Sequence, residues 1–256
     1  MDLTNKVALV TGGASGLGRA TVEELAGRGA KIAIFDLNAE AGAEVVASLG
    51  ADNAAFFSVD VASEESVENA MNEVAAHFGA LHVLVNCAGI GPAKKILNRE
   101  NQPMPLGDFS KLIGINLTGS FNVARCAAAL MAKNELEDGE RGVIIHTASV
   151  AAYEGQVGQC AYSASKGGIV GMTLPMARDL ATLGIRVNTV APGIMATPLL
   201  MSMPEKVTNS LAATVLNPSR LGAPSEYGRL VTHIAENGYI NGETIRIDGG
   251  IRMQPR

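Results

Sequence analysis

Tyr162 and Lys166 stand four positions apart in the run CAYSASKGG, and Ser149 precedes them in HTASV. On a helix that spacing puts a phenol and an ammonium on one face, one turn apart. With the hydroxyl upstream, three groups could meet on a single substrate oxygen. The phenol would give or take a proton, the ammonium would favour the phenolate, and the hydroxyl would hold the oxygen in place. A free phenol titrates near pH ~10, and lowering it by about three units takes ~4 kcal/mol of differential stabilisation. Lys166 can supply part of that as a neighbouring positive charge. Each residue also has a plainer reading: Ser149 as a turn or helix cap, Tyr162 as a packing aromatic, Lys166 as a solvated helix residue. The weight of the pair therefore rests on the rest of the chain.

Seven short runs read as strands, at 6–11, 31–36, 54–60, 82–87, 142–148, 184–191 and 243–248. Several are continuously apolar (VALV, IAIF, VIIH), as expected for parallel strands covered on both faces. Helical patterns alternate with them. Residues 16–28 carry Leu17, Ala20, Leu25 and Ala26 at helical spacing, and 63–78 opens on Ser63 with Glu64 and Glu65 in its first turn. Those acids suit the positive end of a helix. The alternation predicts an α/β fold: one Rossmann-type, doubly wound parallel sheet of about seven strands with helices on both faces. No repeat, low-complexity segment or linker divides the chain, so 1–256 is expected to form a single domain.

Two stretches break the rhythm. Residues 91–107 and 192–218 should lie outside the carboxyl ends of strands, where open α/β sheets bind ligands. They are expected to be a substrate loop and an apolar lid of Ile194, Met195, Leu199, Leu200, Met201 and Met203, with ordinary surface insertion as the alternative. Pro175 interrupts the helix of Tyr162 and Lys166 and removes a backbone bond to Gly171, which predicts a kink or an early end.

VTGGASGLGRA joins the first strand to the first helix. Gly12, Gly16 and Gly18 allow a tight turn and a close approach to a pyrophosphate, while the helix N-terminus offers free N–H groups and positive potential. A glycine-rich turn without a ligand is the bland alternative. Asp36 ends the second strand near the offset at which an acid meets the adenosine ribose. Its carboxylate would accept from both ribose hydroxyls and repel a 2′-phosphate. Leu37 and Asn38 follow it rather than a base, so NAD(H) is expected over NADP(H). With a nicotinamide present, the phenol, ammonium and hydroxyl would serve hydride transfer at a carbonyl carbon.

Taken in order, these residues resemble the short-chain dehydrogenase/reductase family over nearly the whole chain. They are TGGASGLG from Thr11, Asp60-Val61, NCAG at Asn86, Cys87, Ala88 and Gly89, Asn116, Ser149, YSASK from Tyr162, and Pro192-Gly193 followed by Thr197. One departure is Cys87, where the family usually has asparagine. The resemblance implies catalysis by Asn116, Ser149, Tyr162 and Lys166, with Ser149 and Tyr162 on the substrate and Asn116 holding a water in a proton relay. It implies that the nucleotide contacts Ser15 and Leu17 in the turn, Asp60 and Val61 beside the adenine, and Cys87 through its backbone. Asn86, Ala88, Gly89, Tyr162 and Lys166 would also meet it, and Pro192, Gly193, Met195 and Thr197 would stand at the nicotinamide end. The run SVAAYEGQVGQCAYSASKGGIVGMTLPMARDL, the insert after NCAGI and the ending IRMQPR are similar to the type II 3-hydroxyacyl-CoA dehydrogenase group, also called the 17β-hydroxysteroid dehydrogenase type 10 group. That likeness implies oxidation of 3-hydroxyacyl-CoA, side activity on steroids, and a homotetramer. The tetramer would bury the helix of Tyr162 and the one around 112–132, with Ala127, Ala128, Ala129, Gly167, Gly168 and Gly171 allowing close packing. Intrachain packing is their alternative role. Lys94, Lys95 and Arg99 could meet CoA phosphates or form a solvated basic loop.

The bulk numbers are consistent with this. The 256 residues are 47% hydrophobic and 18% charged, with a net charge of −5. Mild acidity without basic blocks argues against nucleic-acid or anionic-membrane partners. Cys87, Cys126 and Cys160 have no metal-ligand spacing and suit no disulfide framework, so reduced thiols and no metal are expected. No base stands beside Cys160, which therefore makes a poor nucleophile. No signal or transit segment precedes the first strand, and a bacterial cytoplasmic location is expected, or the mitochondrial matrix for an animal source. The competing functions are a 3-oxoacyl-carrier-protein reductase, another alcohol dehydrogenase, and a non-catalytic NAD-binding regulator.

Overall fold

The computed structural model describes residues 1–255, apart from the side chain of Leu199. Arg256 of the IRMQPR ending and the expected lid side chain of Leu199 thus lie outside the described residues. The strands are β1 (Val7–Thr11), β2 (Lys31–Asp36), β3 (Ala54–Ser58), β4 (Val83–Asn86), β5 (Gly142–Thr147), β6 (Ile185–Pro192) and β7 (Thr244–Ile247). They form one sheet in the order β3-β2-β1-β4-β5-β6-β7, parallel throughout. The third strand stops short of its expected end. Asp60 donates its N–H to the Ser66 hydroxyl and accepts from the Ala62 N–H, so turn chemistry takes it out of the ladder.

Alternate residues of the apolar strands face different helices. Leu9, Leu84, Ile144 and Val187 pack on α3 (Glu64–Phe78), α5 (Gly119–Met131) and α6 (Cys160–Leu180). Val10, Val85, Ile145 and Val190 pack on α1 (Gly16–Ala26), α2 (Ala39–Leu49) and α9 (Pro224–Glu236). Both faces are buried, which is why these strands show no polar alternation. Ala127 and Ala128 belong to the first of these clusters, so their small size serves packing within the chain. Gly168 does the same, since a Cβ there would sit 2.6 Å from Leu117.

Three local outcomes differ from the sequence pattern. A helix α4 (Leu106–Ile113) continues through a π turn, Gly114–Thr118, into α5. The helix α6 does not end early, because it runs unbroken through Pro175 to Leu180. Gly171 is exposed, so water can meet the carbonyl that Pro175 leaves unbonded. The expected lid contains two helices, α7 (Pro198–Met201) and α8 (Glu205–Ala212), but Met195 is no lid residue. It is 7% exposed and lies in the cluster beneath α9.

The sheet order reverses between β1 and β4, opening a crevice at their carboxyl ends. Helix α1, which rises from that crevice, is held by α9 at close range: a Cβ on Gly228 would stand 2.8 Å from the Ala20 carbonyl oxygen. Gly228→Val should therefore force the two helices apart and lower the unfolding free energy by about 1–3 kcal/mol in urea melts.

Candidate active site

The crevice holds a cleft of about 380 Å³. Its first wall is the turn from β1 to α1. Gly12 adopts φ 64°, and its α-carbon lies so close to Ala88 that a Cβ would meet backbone at 3.0 Å. At Gly18 a Cβ would fall 2.1 Å from the Gly12 carbonyl oxygen, so only glycine closes this turn. Ser15 caps α1 in extended backbone without a side-chain bond to it, leaving its hydroxyl to the cleft. Leu17 and Gly16 complete this wall, and Thr197 reaches over Gly16 from the far side.

Asp36 stands at the end of β2. One carboxylate oxygen accepts the Ala14 N–H at 3.1 Å and the other accepts the Asn38 N–H at 3.0 Å. The acid is thus tied to the glycine turn, and each oxygen keeps a lone pair for a ribose hydroxyl. Leu37 beside it is 70% exposed. Asp60 and Val61 line the next wall. Asn122 on α5 donates to the carbonyls of Val61 and Ser63 and so holds that loop in place.

The floor comes from the end of β4. Thr11 accepts the N–H groups of Cys87 and Ala88 on its hydroxyl, at 3.1 and 3.0 Å. Cys87, Ala88 and Gly89 face the cleft, as expected. Asn86 does not. It is buried, bonded to the Ser120 carbonyl at 3.2 Å and to His146 Nδ1 at 3.1 Å, because strand alternation turns its side chain below the sheet. Pro192, Gly193 and Met195 also lie outside the cleft lining: Pro192 pairs with Ile247, Gly193 donates to the Ile247 carbonyl, and Met195 is core. Met195 instead accepts the Thr197 N–H on its carbonyl, at 2.7 Å. Phe35, Val59, Ile90 and Ile115 line the cleft and were missed; each is an apolar neighbour of a residue the pattern did identify.

Beside the cleft the four expected catalytic residues converge. Asn116 sits in the π turn, fully buried, where its amide oxygen accepts the Ile90 N–H at 2.9 Å. Its amide nitrogen donates to the Ile90 carbonyl at 2.9 Å and to the Ser165 hydroxyl at 3.2 Å. Turns of this kind recur at functional sites, and here one aims Asn116 at the strand β4 exit. A Cβ on Gly89 would lie 3.1 Å from Asn116 Oδ1 and 3.9 Å from Lys166 Nζ, and one on Gly91 would lie 3.5 Å from the Tyr162 ring. The cleft's edge therefore touches all three. Ser149 caps the 3₁₀ turn Val150–Ala152 by accepting the Ala151 N–H at 3.1 Å, so its capping role is real. Its hydroxyl also stands near enough to the Tyr162 phenol to favour the phenolate.

The electrostatics differ from expectation in one respect. Burial pushes the Tyr162 phenol above its ordinary value, and the nearby Ser149 hydroxyl offsets only part of that. Lys166 does not reverse it. Its Nζ lies 5.8 Å from the phenol ring centroid and donates to the Thr147 carbonyl at 2.7 Å. Burial lowers Lys166 itself to about 8, which still leaves the charged form favoured at pH 7. The chain's own groups thus leave the phenol protonated at neutral pH and an ammonium beside it. Such a pair can deliver a proton to a carbonyl oxygen; the reverse step needs more positive charge nearby.

The glycine turn, the Asp36 carboxylate and the free helix start fit a dinucleotide. The insert fits CoA phosphates less simply. Lys94 is paired with Asp108 at 2.6 Å, leaving Lys95 and Arg99 without that restraint. Cys87 is a poor nucleophile too, because burial pushes its thiol up.

The family model for short chain dehydrogenases matches residues 6–208. The chain is 56% identical over 251 residues to the human 3-hydroxyacyl-CoA dehydrogenase type-2, covering 97% of this chain and 96% of that one. It is 54% identical over 255 residues to the Drosophila melanogaster protein of the same name, covering 99% and 100%. The crystal structure of 3-hydroxyacyl-CoA dehydrogenase type-2 from Mycobacterium avium superposes with a TM-score of 0.94 at 44% identity, each chain fully covered.

His146 generates a prediction of its own. It is fully buried, its Nε2 has no hydrogen-bond partner among the described residues, and burial lowers it from 6.5 to about 4. A lowered value means that the unfolded chain binds the proton more readily, so stability is present above pH ~6.5 and is lost as pH falls toward ~4. His146→Gln should remove about 3 kcal/mol of that acid-side loss, read from urea midpoints between pH 7 and 4.

Proposed function

The chain belongs to the short-chain dehydrogenase family, and from that premise we propose that it is an NAD-dependent oxidoreductase acting on 3-hydroxyacyl-CoA and 3-ketoacyl-CoA. The observation that carries the reaction is the convergence of Tyr162, Ser149 and Lys166 at the edge of the dinucleotide cleft. The glycine turn and Asp36 would hold an oxidised nicotinamide dinucleotide, which would supply a hydride acceptor and positive charge beside the phenol. Ser149 holds the substrate oxygen against Tyr162. Tyr162 moves the proton at that oxygen. Lys166 favours the phenolate, and Asn116 orders the backbone at Ile90 on the other side of the cleft edge.

Asp36 supports NAD over NADP, since a 2′-phosphate would meet its carboxylate and no base follows. The names of the close relatives support the acyl-CoA substrate. A cavity of about 490 Å³ between α8 and residues 251–254, lined by Ile194, Val207, Leu211 and Met253 beside Lys206, Ser210, Arg252 and Gln254, has room for an acyl chain. The exposed Phe121 and Leu174, on α5 and α6, support burial between subunits of a homotetramer. No helix among the described residues is long and apolar enough to cross a membrane.

Steady-state assays with acetoacetyl-CoA, a carrier-protein thioester and a 17β-hydroxysteroid, each with both nicotinamides, test the proposal. The highest kcat/KM should be with acetoacetyl-CoA and NADH; a preference for the carrier protein or for NADPH would overturn it. Tyr162→Phe should lose about 10²–10⁴-fold in turnover, and near-normal turnover would remove the phenol from the mechanism. Asp36→Ala combined with Leu37→Arg should shift the kcat/KM ratio toward NADPH, the exposed position 37 having room for the new side chain.

A further inference from the structure

Thr147 ends β5 and uses both of its polar groups. Its carbonyl accepts from Lys166 Nζ at 2.7 Å. Its hydroxyl lies 2.6 Å from the Tyr227 hydroxyl and 3.5 Å from Cys87 Sγ. Tyr227 is on α9, on the opposite face of the sheet from α6, and is completely buried. It also lies beyond residues 6–208, the span the family model matches. A phenylalanine would fill the same apolar space without burying a hydroxyl, so the oxygen has to be explained by what it bonds.

The bond falls where β5 is held on one side only, by the Ala148 N–H on the Val190 carbonyl at 2.8 Å. The strand β4 ends opposite His146, so Thr147 has a ladder partner only on β6, at Val190. The restraint from Tyr227 is added at the residue whose carbonyl receives the buried ammonium. Around Lys166 stand Tyr162 on its own helix, His146 on β5, Cys87 after β4, and Tyr227 behind Thr147. No carboxylate is among the groups that shift it. A displaced carbonyl would thus leave the ammonium poorly satisfied, with no nearby carboxylate among the described residues to compensate.

We infer that Tyr227 is a positioning residue for proton transfer: through the Thr147 hydroxyl it holds the carbonyl that fixes Lys166 beside Tyr162. The inference rests on the reading of Tyr162 and Lys166 as the acid–base pair. Removing the Tyr227 hydroxyl loosens Thr147, Lys166 gives up its proton more easily, and the phenolate of Tyr162 loses support. The base needed for alcohol oxidation then forms at higher pH.

The test is the pH dependence of kcat/KM for oxidation of a 3-hydroxyacyl-CoA by NAD, in Tyr227→Phe, Thr147→Val and the double variant. Thermal melts and NADH titration of each variant accompany it. The rising limb should move to higher pH by about half a unit to one unit in each single variant, lowering kcat/KM on that limb by about three- to tenfold. The double variant should move no further, since both changes remove the same bond. A limb that stays in place in a folded variant, with only Tm or KM altered, overturns the inference, and so do shifts that add. If Tyr227→Phe does not fold, Thr147→Val decides the matter alone, because it removes the hydroxyl at nearly constant volume. Tyr162→Phe in the same assay separates the two levels. Normal turnover there defeats the acid–base reading, whereas an inactive Tyr162→Phe with an unmoved limb in Tyr227→Phe defeats only the positioning role.

Discussion

A buried ammonium must find an acceptor, and much of this structure is arranged so that Lys166 finds one in the Thr147 carbonyl. Burying such a charge is costly, and the site offers no carboxylate to pair with it. The end of β5 provides a carbonyl at a fixed height above the sheet, and α6 brings the lysine to it. One turn earlier on the same helix, Tyr162 is placed beside the charge and against the cleft edge at Gly91. A carboxylate partner for Lys166 would satisfy the charge more fully but would cancel the field that the phenol needs.

The same sheet solves a second problem at the other end of the cleft. Its order reverses between β1 and β4, and the glycine turn sits in the resulting crevice. Asp36 is anchored to that turn through the Ala14 N–H, which ties the end of β2 to the glycine turn. Thr11 fixes the Cys87 and Ala88 amides on the opposite side. In the proposed function, cofactor selection and proton handling are held by adjacent strands of one sheet, while the acyl chain takes the cavity between α8 and residues 251–254. On the proposed reading, chemistry and substrate choice rest on separate parts of the fold.

The sheet was legible because its strands are buried on both faces, and such runs are distinctive in a sequence. The glycine turn, Asp36, Ser149, Tyr162 and Lys166 were legible in the residues and their spacing, Asp60 and Asn116 through the family resemblance, and the structure brings all of them to the cleft or its edge. What was not legible depends on three-dimensional detail that spacing does not encode. The π turn at Asn116 leaves no mark in GINLT that separates it from an ordinary helix. Asn86 belongs to the same motif as Cys87 but faces away, and only strand alternation, followed residue by residue, shows it. Met195 reads as a lid hydrophobe, yet it packs against Gly222 in the core. The raised phenol at Tyr162 could not be foreseen either, because a neighbouring lysine predicts the opposite until burial is weighed against it. Tyr227 stands 61 positions beyond Lys166 and carries no motif at all.

The central claim is that the charge on Lys166 makes the Tyr162 phenol usable as a base. The most direct measurement is the pH profile of kcat/KM for alcohol oxidation at saturating NAD, in the native protein and in Lys166→Met. The account predicts a rising limb well below pH 10 in the native protein, and its displacement to pH 10 or above, with a large loss at pH 7, once the ammonium is gone. A limb at the same pH in both proteins would contradict it.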